Sequence, residues 1–248
     1  MKYVLGNWKM NGSANEATAL ARAAAAVPPQ KTVKIALFPP FTTLHLARQV
    51  LHGSQVSLGA QDCNPEKSGA FTGDISADML KEAGCGYVIV GHSERRTLHG
   101  ETDELVKRKA VAAIAAGLIP VICVGENLAE RESGNYLKII DNQVKNSLPS
   151  LTHSEKFLIA YEPVWAIGSG KTPTPSQIAE VHKTIASLLN HDTSVADNSS
   201  VRTAIMYGGS VKAANAREIM GCDCVDGVLV GGASLKADEF TKIIEGAS

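Results

Sequence analysis

Eight short runs of apolar and β-branched residues punctuate the chain, each followed by a longer alanine-rich or amphipathic stretch. The runs read KYVLGNW (2–8), KIALF (34–38), VSLGA (56–60), YVIVG (87–91), LIPVICV (118–124), FLIAYE (157–162), RTAIMY (202–207) and DGVLVG (226–231). A strand with one wet face alternates apolar and polar residues. These are nearly continuous in apolar residues, as parallel strands covered by helices must be. Between them, residues 14–26, 101–116, 176–190 and 238–244 read as helices. In the first, Ala17, Leu20, Ala21 and Ala24 recur at helical spacing. Thr102 and Ser176 stand where N-caps belong, and Gly117 stands where a terminating glycine belongs. Eight strand–helix units in 248 residues, without a long low-complexity linker, predict a closed (β/α)8 barrel forming one domain over 1–248. An open doubly wound sheet would show G-x-G-x-x-G after its first strand, but that strand ends in GNWKMNG.

Composition narrows the function. The formal net charge is -1, so no bulk positive field recruits nucleic acid or an anionic membrane, and an anionic ligand must be held by a local site. No stretch reaches the roughly 20 apolar residues of a membrane span. The N-terminal apolar run is too short for a secretory signal, so a cytoplasmic protein is expected. Cys63, Cys85, Cys123, Cys222 and Cys224 form no C-x-x-C pair and read as structural thiols of a reducing compartment. No metal-ligand spacing is present, and no cofactor is expected.

The segment YEPVWAIGSGKT (161–172) ends like a phosphate-binding P-loop. The pattern G-x-x-x-x-G-K-[ST] would need glycine at 165, where Trp165 stands, and Pro173 and Pro175 interrupt the helix that should follow. The P-loop reading therefore fails. In a barrel, chemistry belongs at the C-terminal ends of the strands, and polar residues collect there. Asn7 and Lys9, two apart, point together into the mouth while Trp8 packs outward. Strand 4 runs into His92, Ser93, Glu94, Arg95 and Arg96, strand 6 into Glu162, strand 7 into Gly208, Gly209 and Ser210, and strand 8 into Gly231 and Gly232. A hydrogen-bonded structural histidine is as natural a reading of His92, taken alone, as a catalytic one. Glu94, Arg95 and Arg96 read as an ion-pair network bracing their loop. Glu162, just before Pro163 and a glycine-bearing loop, reads as functional more readily than as a helix cap. The two glycine pairs match the phosphate site that many barrels build after their last two strands.

Taken together, GNWKMNG, GAFTG, GHSERR, YEPVWAIGSGK, YGGSV and LVGGASLK resemble the triosephosphate isomerase family over essentially the whole chain. The resemblance implies a glycolytic and gluconeogenic isomerase that interconverts dihydroxyacetone phosphate and D-glyceraldehyde 3-phosphate. It implies Glu162 as general base, a neutral His92 as electrophile, Lys9 as essential cation and Asn7 beside it. Gly168, Ser210, Gly231 and Gly232 are implied to bind the substrate phosphate, with Ser93 and Glu94 in support. The loop from Pro163 to Lys171 is implied to be a lid, whose Ile167 closes against Leu229 and raises the proton affinity of Glu162 by excluding water. The long segment 62–76, with Phe71 and Thr72, is implied to insert into a second copy and form a homodimer. Asp62, where the family often has Asn, is expected to weaken the dimer or make it pH-sensitive. Ser169, where Thr is common, is expected to alter lid opening. An aldolase-like barrel would need a Schiff-base lysine within a strand, and a dead scaffold would lack one of Lys9, His92 and Glu162.

Overall fold

The computed structural model describes residues 1–149, 156–168, 171–191 and 203–247. Eight parallel strands close into a barrel in sequence order. They are β1 (Lys2–Asn7), β2 (Val33–Phe38), β3 (Val56–Ala60), β4 (Tyr87–Val90), β5 (Ile119–Val124), β6 (Leu158–Tyr161), β7 (Ala204–Tyr207) and β8 (Gly227–Val230). Closure comes from β1 against β8, with Tyr3 opposite Gly227 and Leu5 opposite Leu229. The helices are α1 (Ala14–Ala25), α2 (Leu44–Leu51), α3 (Ala77–Glu82), α4 (Ser93–His99), α5 (Asp103–Ala115), α6 (Leu128–Glu132), α7 (Tyr136–Ser147), α8 (Pro175–His191), α9 (Ala213–Gly221) and α10 (Ala237–Gly246). Short 3-10 turns at Phe41–Thr43, Val164–Ala166 and Gly232–Leu235 complete the described elements. Among the described residues no helix is long and apolar enough to cross a membrane.

The continuous apolar runs serve two cores at once. Leu5, Phe38, Ile89, Val121, Ala160, Met206 and Leu229 fill the barrel interior. Val4, Trp8, Ile35, Val88, Ile122, Ile159 and Val228 face the helices. Trp8 is fully buried in that outer layer, so the residues on either side of it are turned toward the barrel mouth, as the alternation requires.

Seven of the eight expected strands lie within one or two residues of their predicted limits. Arg202, the expected start of the seventh, falls outside the described residues. Thr102 caps α5, its hydroxyl accepting the Leu105 N–H at 3.3 Å, and Gly117 follows with φ +75. The cap of α8 corrects the reading of Ser176. Thr174 accepts the Gln177 N–H at 3.3 Å and donates its own N–H to Gln177 Oε1 at 2.9 Å. Pro175 then occupies the first helical position, where its missing N–H costs nothing. Glu101, expected inside α5, lies before it and is buried.

Candidate active site

The C-terminal rim of the barrel holds a cavity of about 590 Å3. Asn7, Lys9, His92, Glu162, Ile167, Gly168, Ser210, Leu229, Gly231 and Gly232 all line it. These residues are far apart in sequence and converge because each follows a strand. Ser93 touches the site through its backbone and Glu94 through Lys9.

Lys9 sits in the left-handed region, at φ +52, which costs a non-glycine residue of order 1 kcal/mol or more. Its neighbours hold it there. Asn7 Oδ1 accepts the Lys9 N–H at 3.0 Å, and Gln61 donates to the Lys9 carbonyl and the Phe38 carbonyl, each at 2.8 Å. Lys9 Nζ reaches Glu94 Oε1 at 2.5 Å. Its stem passes over Gly231, where a Cβ would lie 3.4 Å from Lys9 Cε. Gln61 was not singled out from the sequence; nothing in a glutamine after strand 3 marks it as the clamp on a strained lysine.

His92 is the N-cap of α4, a short helix where the sequence suggested only a loop. Its Nδ1 accepts the Glu94 N–H at 3.2 Å. That bond fixes the tautomer: the proton of the neutral ring sits on Nε2, which lies 2.9 Å from Glu162 Oε1. Glu162 Oε2 accepts the Ser93 N–H at 2.8 Å. The carboxylate thus satisfies the first turn of α4, and capping and candidate chemistry coexist in one side chain. Its position depends on two close approaches. A Cβ at Gly125 would lie 1.8 Å from the Glu162 carbonyl oxygen, and one at Gly208 would lie 2.9 Å from Glu162 Cγ. Side chains at either position would displace it.

Burial by itself would raise the pKa of Glu162, which is 1% exposed. The charge and hydrogen bond of His92, the Ser93 N–H and Lys9 outweigh it, and the pKa lies below the usual carboxylate value. For His92, burial disfavours the charged ring, but the adjoining Glu162 carboxylate more than offsets it, so this pairing raises the histidine above its ordinary value. The expected rise at Glu162 is therefore not a property of the arrangement observed. It requires the carboxylate to leave His92 and Ser93.

Glu94, Arg95 and Arg96 do not brace one another; each ties the loop to a different element. Glu94 pairs with Lys9, Arg95 with Asp62 at 2.9 Å and Glu101 at 2.5 Å, and Arg96 with Asp103 at 2.5 Å. Lys109 joins this group, 2.7 Å from Asp62 and 2.6 Å from Glu101. Asp62 is thus part of a four-charge cluster at the base of the 62–76 loop, buried except for the half-buried Arg95. Burial raises its pKa against the pull of Lys109. Just past the C-terminal end of β5, Glu126 Oε1 accepts from the Tyr161 hydroxyl at 3.0 Å and from Trp165 Nε1 at 2.8 Å, anchoring the start of the 163–171 segment. Ser169 and Gly170 lie outside the described residues. Phe71 is 46% exposed and Met10 96% exposed, both on the long loops near the rim. Among the described residues no cluster of three or more His, Cys, Asp or Glu side chains has metal-site geometry.

The triosephosphate isomerase family model matches residues 2–247. A triosephosphate isomerase of Endomicrobium trichonymphae is 47% identical over 243 residues, covering 97% of this chain and 96% of that one. One of Caulobacter vibrioides is 48% identical over 245 residues, covering 98% and 95%. The crystal structure of triosephosphate isomerase from Bartonella henselae matches with a TM-score of 0.87 at 40% identity, covering 99% of this chain and 98% of that chain. With a full-length family match laid over a closed eight-stranded barrel, the chain belongs to the triosephosphate isomerase family.

Proposed function

We propose that this chain interconverts dihydroxyacetone phosphate and D-glyceraldehyde 3-phosphate through an enediolate, with Glu162 as the base. The observation that carries the reading is the 2.9 Å contact between Glu162 Oε1 and His92 Nε2 on the wall of a rim cavity that Lys9 also lines. A substrate carbon bearing an acidic proton, with its neighbouring oxygens, fits between a carboxylate and two donors. Glu162 leaves His92 and Ser93, takes the proton from one carbon and returns it to the next. The freed Nε2–H of His92 and the ammonium of Lys9 then meet the negative charge that develops on the oxygens. Asn7 and Gln61 keep Lys9 in place, and donors fixed before the reaction need no reorganisation during it.

The phosphate is read as lying against the backbone N–H groups of Gly168, Ser210, Gly231 and Gly232, where the loops after β7 and β8 meet. Ile167 and Leu229 supply the apolar cover over the carboxylate. Closing that cover desolvates Glu162, raises its proton affinity for the step that needs it, and slows loss of phosphate from the enediolate. The segment from Pro163 to Lys171, of which Ser169 and Gly170 lie outside the described residues, is the part of the chain this reading assigns as the lid.

We read the active form as a homodimer. The 62–76 loop is long for a βα connection and exposes Phe71, while Met10 and Leu98 (76% exposed) lie on neighbouring rim segments. Thr72 is placed by this reading near Asn7 and Lys9 of a second copy. We read the location as cytoplasmic, in keeping with a glycolytic reaction and with free cysteines. The test is a coupled assay with glyceraldehyde 3-phosphate supplied and dihydroxyacetone phosphate measured. Conversion supports the reading, and none by pure folded protein defeats it. Sedimentation of the active protein as a stable monomer would defeat the dimer.

A further inference from the structure

The rim cavity extends past the phosphate-binding glycines to two lysines, Lys212 and Lys236. Each is the N-cap of a helix, Lys212 of α9 and Lys236 of α10, and neither makes a side-chain cap hydrogen bond. The positive end of a helix dipole repels a cation, and lysine offers no acceptor to the free N–H groups. Ser13, Ser76, Thr102 and Asn127 cap α1, α3, α5 and α6 with their side chains, and where α2 and α7 lack such a bond the residue there is a neutral Thr43 or Asn135. Two cationic residues at helix starts, both bordering one cavity, point to a use other than stability.

The charges around the cavity say what the use is. Lys9 is matched by Glu94, and the remaining carboxylates on the wall are Glu162 and Glu239. Glu239 accepts the Ala213 N–H at 3.1 Å in the first turn of α9. Without further cations the mouth would turn a negative face to a substrate carrying a phosphate dianion, and the net charge of -1 supplies no compensating field. Lys212 and Lys236 are exposed, and among the described residues neither forms an ion pair. The backbone of Lys212 is pinned, its N–H donating to Asn215 Oδ1 at 2.8 Å, while Asn215 Nδ2 holds the Ser210 carbonyl at 3.2 Å.

We propose that Lys212, with Lys236 beside it, recruits the substrate phosphate to the mouth electrostatically and takes no part in the proton transfers. The proposal rests on the isomerase reading above. For a unit charge and a dianion ~8 Å apart in water, attraction enriches the substrate about 4-fold at ~10 mM salt and less than about 2-fold near ~0.3 M.

The test compares wild type with Lys212→Asn, Lys212→Arg and the double variant Lys212→Asn/Lys236→Gln, measuring kcat and kcat/KM for glyceraldehyde 3-phosphate between ~10 mM and ~0.3 M salt. Lys212→Asn is expected to lower kcat/KM about 4-fold at low salt, leave kcat in place and converge on wild type at high salt. Lys212→Arg should behave as wild type, and the double variant should lose more. Because Asn is a better cap, the Tm of Lys212→Asn should hold or rise; a residue retained for structure would lower it. A kcat/KM that does not change, changes equally at all salt concentrations, or falls together with kcat overturns the recruiting role. Wild type that fails to isomerise would instead overturn the reading on which it rests.

Discussion

His182 supplies an acid-sensitive element outside the lining of the rim cavity. It lies on α8, fully buried, with Nδ1 3.0 Å from the Cys224 carbonyl and its ring edge-on to Tyr161 at 5.8 Å. Nε2 has no hydrogen-bond partner among the described residues. The Cys224 carbonyl fixes the proton on Nδ1, so a second proton would go to Nε2, where nothing receives it. Burial pushes the pKa of His182 down to about 4, and the Cys224 carbonyl and the charge of Asp226 only partly resist. In the unfolded chain the value returns to about 6.5. Above about pH 6.5 both states hold a neutral ring and His182 adds no pH dependence. Between about 6.5 and 4 the unfolded chain takes a proton that the native chain refuses, so stability falls as the pH falls. The depression of roughly 2.5 units amounts to about 3 kcal/mol, fully lost near pH 4. The assay is urea unfolding of wild type and His182→Asn from pH 7.5 to 4.5 at one protein concentration, because subunit association would enter the midpoint. The carboxylates titrate in both chains, so the difference isolates the histidine. Wild type should be the more stable near pH 7.5, and its advantage should shrink by about 2 kcal/mol or more by pH 4.5. Parallel curves would refute the reasoning.

Other perturbations test the rim. Glu162→Asp draws the carboxylate back by about one methylene from a site where ~1 Å matters, and kcat is expected to fall at least ~10²-fold. Gly208→Ala puts a methyl 2.9 Å from Glu162 Cγ; we expect a loss of ~10-fold or more in kcat with a modest change in Tm. Deleting residues 167–170 should slow isomerisation and release inorganic phosphate and methylglyoxal from the enediolate, so intact isomerisation without that by-product would contradict the role of the cover. Lys109→Met leaves Arg95 alone to balance the Asp62 and Glu101 carboxylates and should cost about 3 kcal/mol in urea unfolding, whereas a surface-like change below about 1 kcal/mol would show the cluster to be solvated.

How much of this was readable in advance depends on the range of the interaction. The barrel was, because continuous apolar strands and eight repeats are properties of local sequence that a closed sheet turns directly into geometry. That Asn7, Lys9, His92, Glu162 and the glycine pairs would meet at one rim was readable because strand ends and glycines are local marks. What the sequence hid is contact between distant segments. Gln61 clamping Lys9, Glu94 turning to Lys9, and Arg95 joining Asp62, Glu101 and Lys109 all depend on which loops the barrel brings side by side. The cap of α8 was misplaced by two residues because Thr174 and Ser176 are both good caps, and only Pro175 between them decides which one the helix uses. The low proton affinity of Glu162 was missed because burial was weighed without His92 and the Ser93 N–H beside it.

The central claim is that Glu162 moves the proton. Its most direct test is turnover of glyceraldehyde 3-phosphate by Glu162→Gln beside wild type, with binding of glycerol 3-phosphate, a substrate-shaped molecule without the carbonyl, measured on both. We expect rapid conversion by wild type, a loss of about 10²- to 10⁴-fold in kcat for the variant, and retained binding of the unreactive compound. Near-normal turnover by Glu162→Gln would contradict the account.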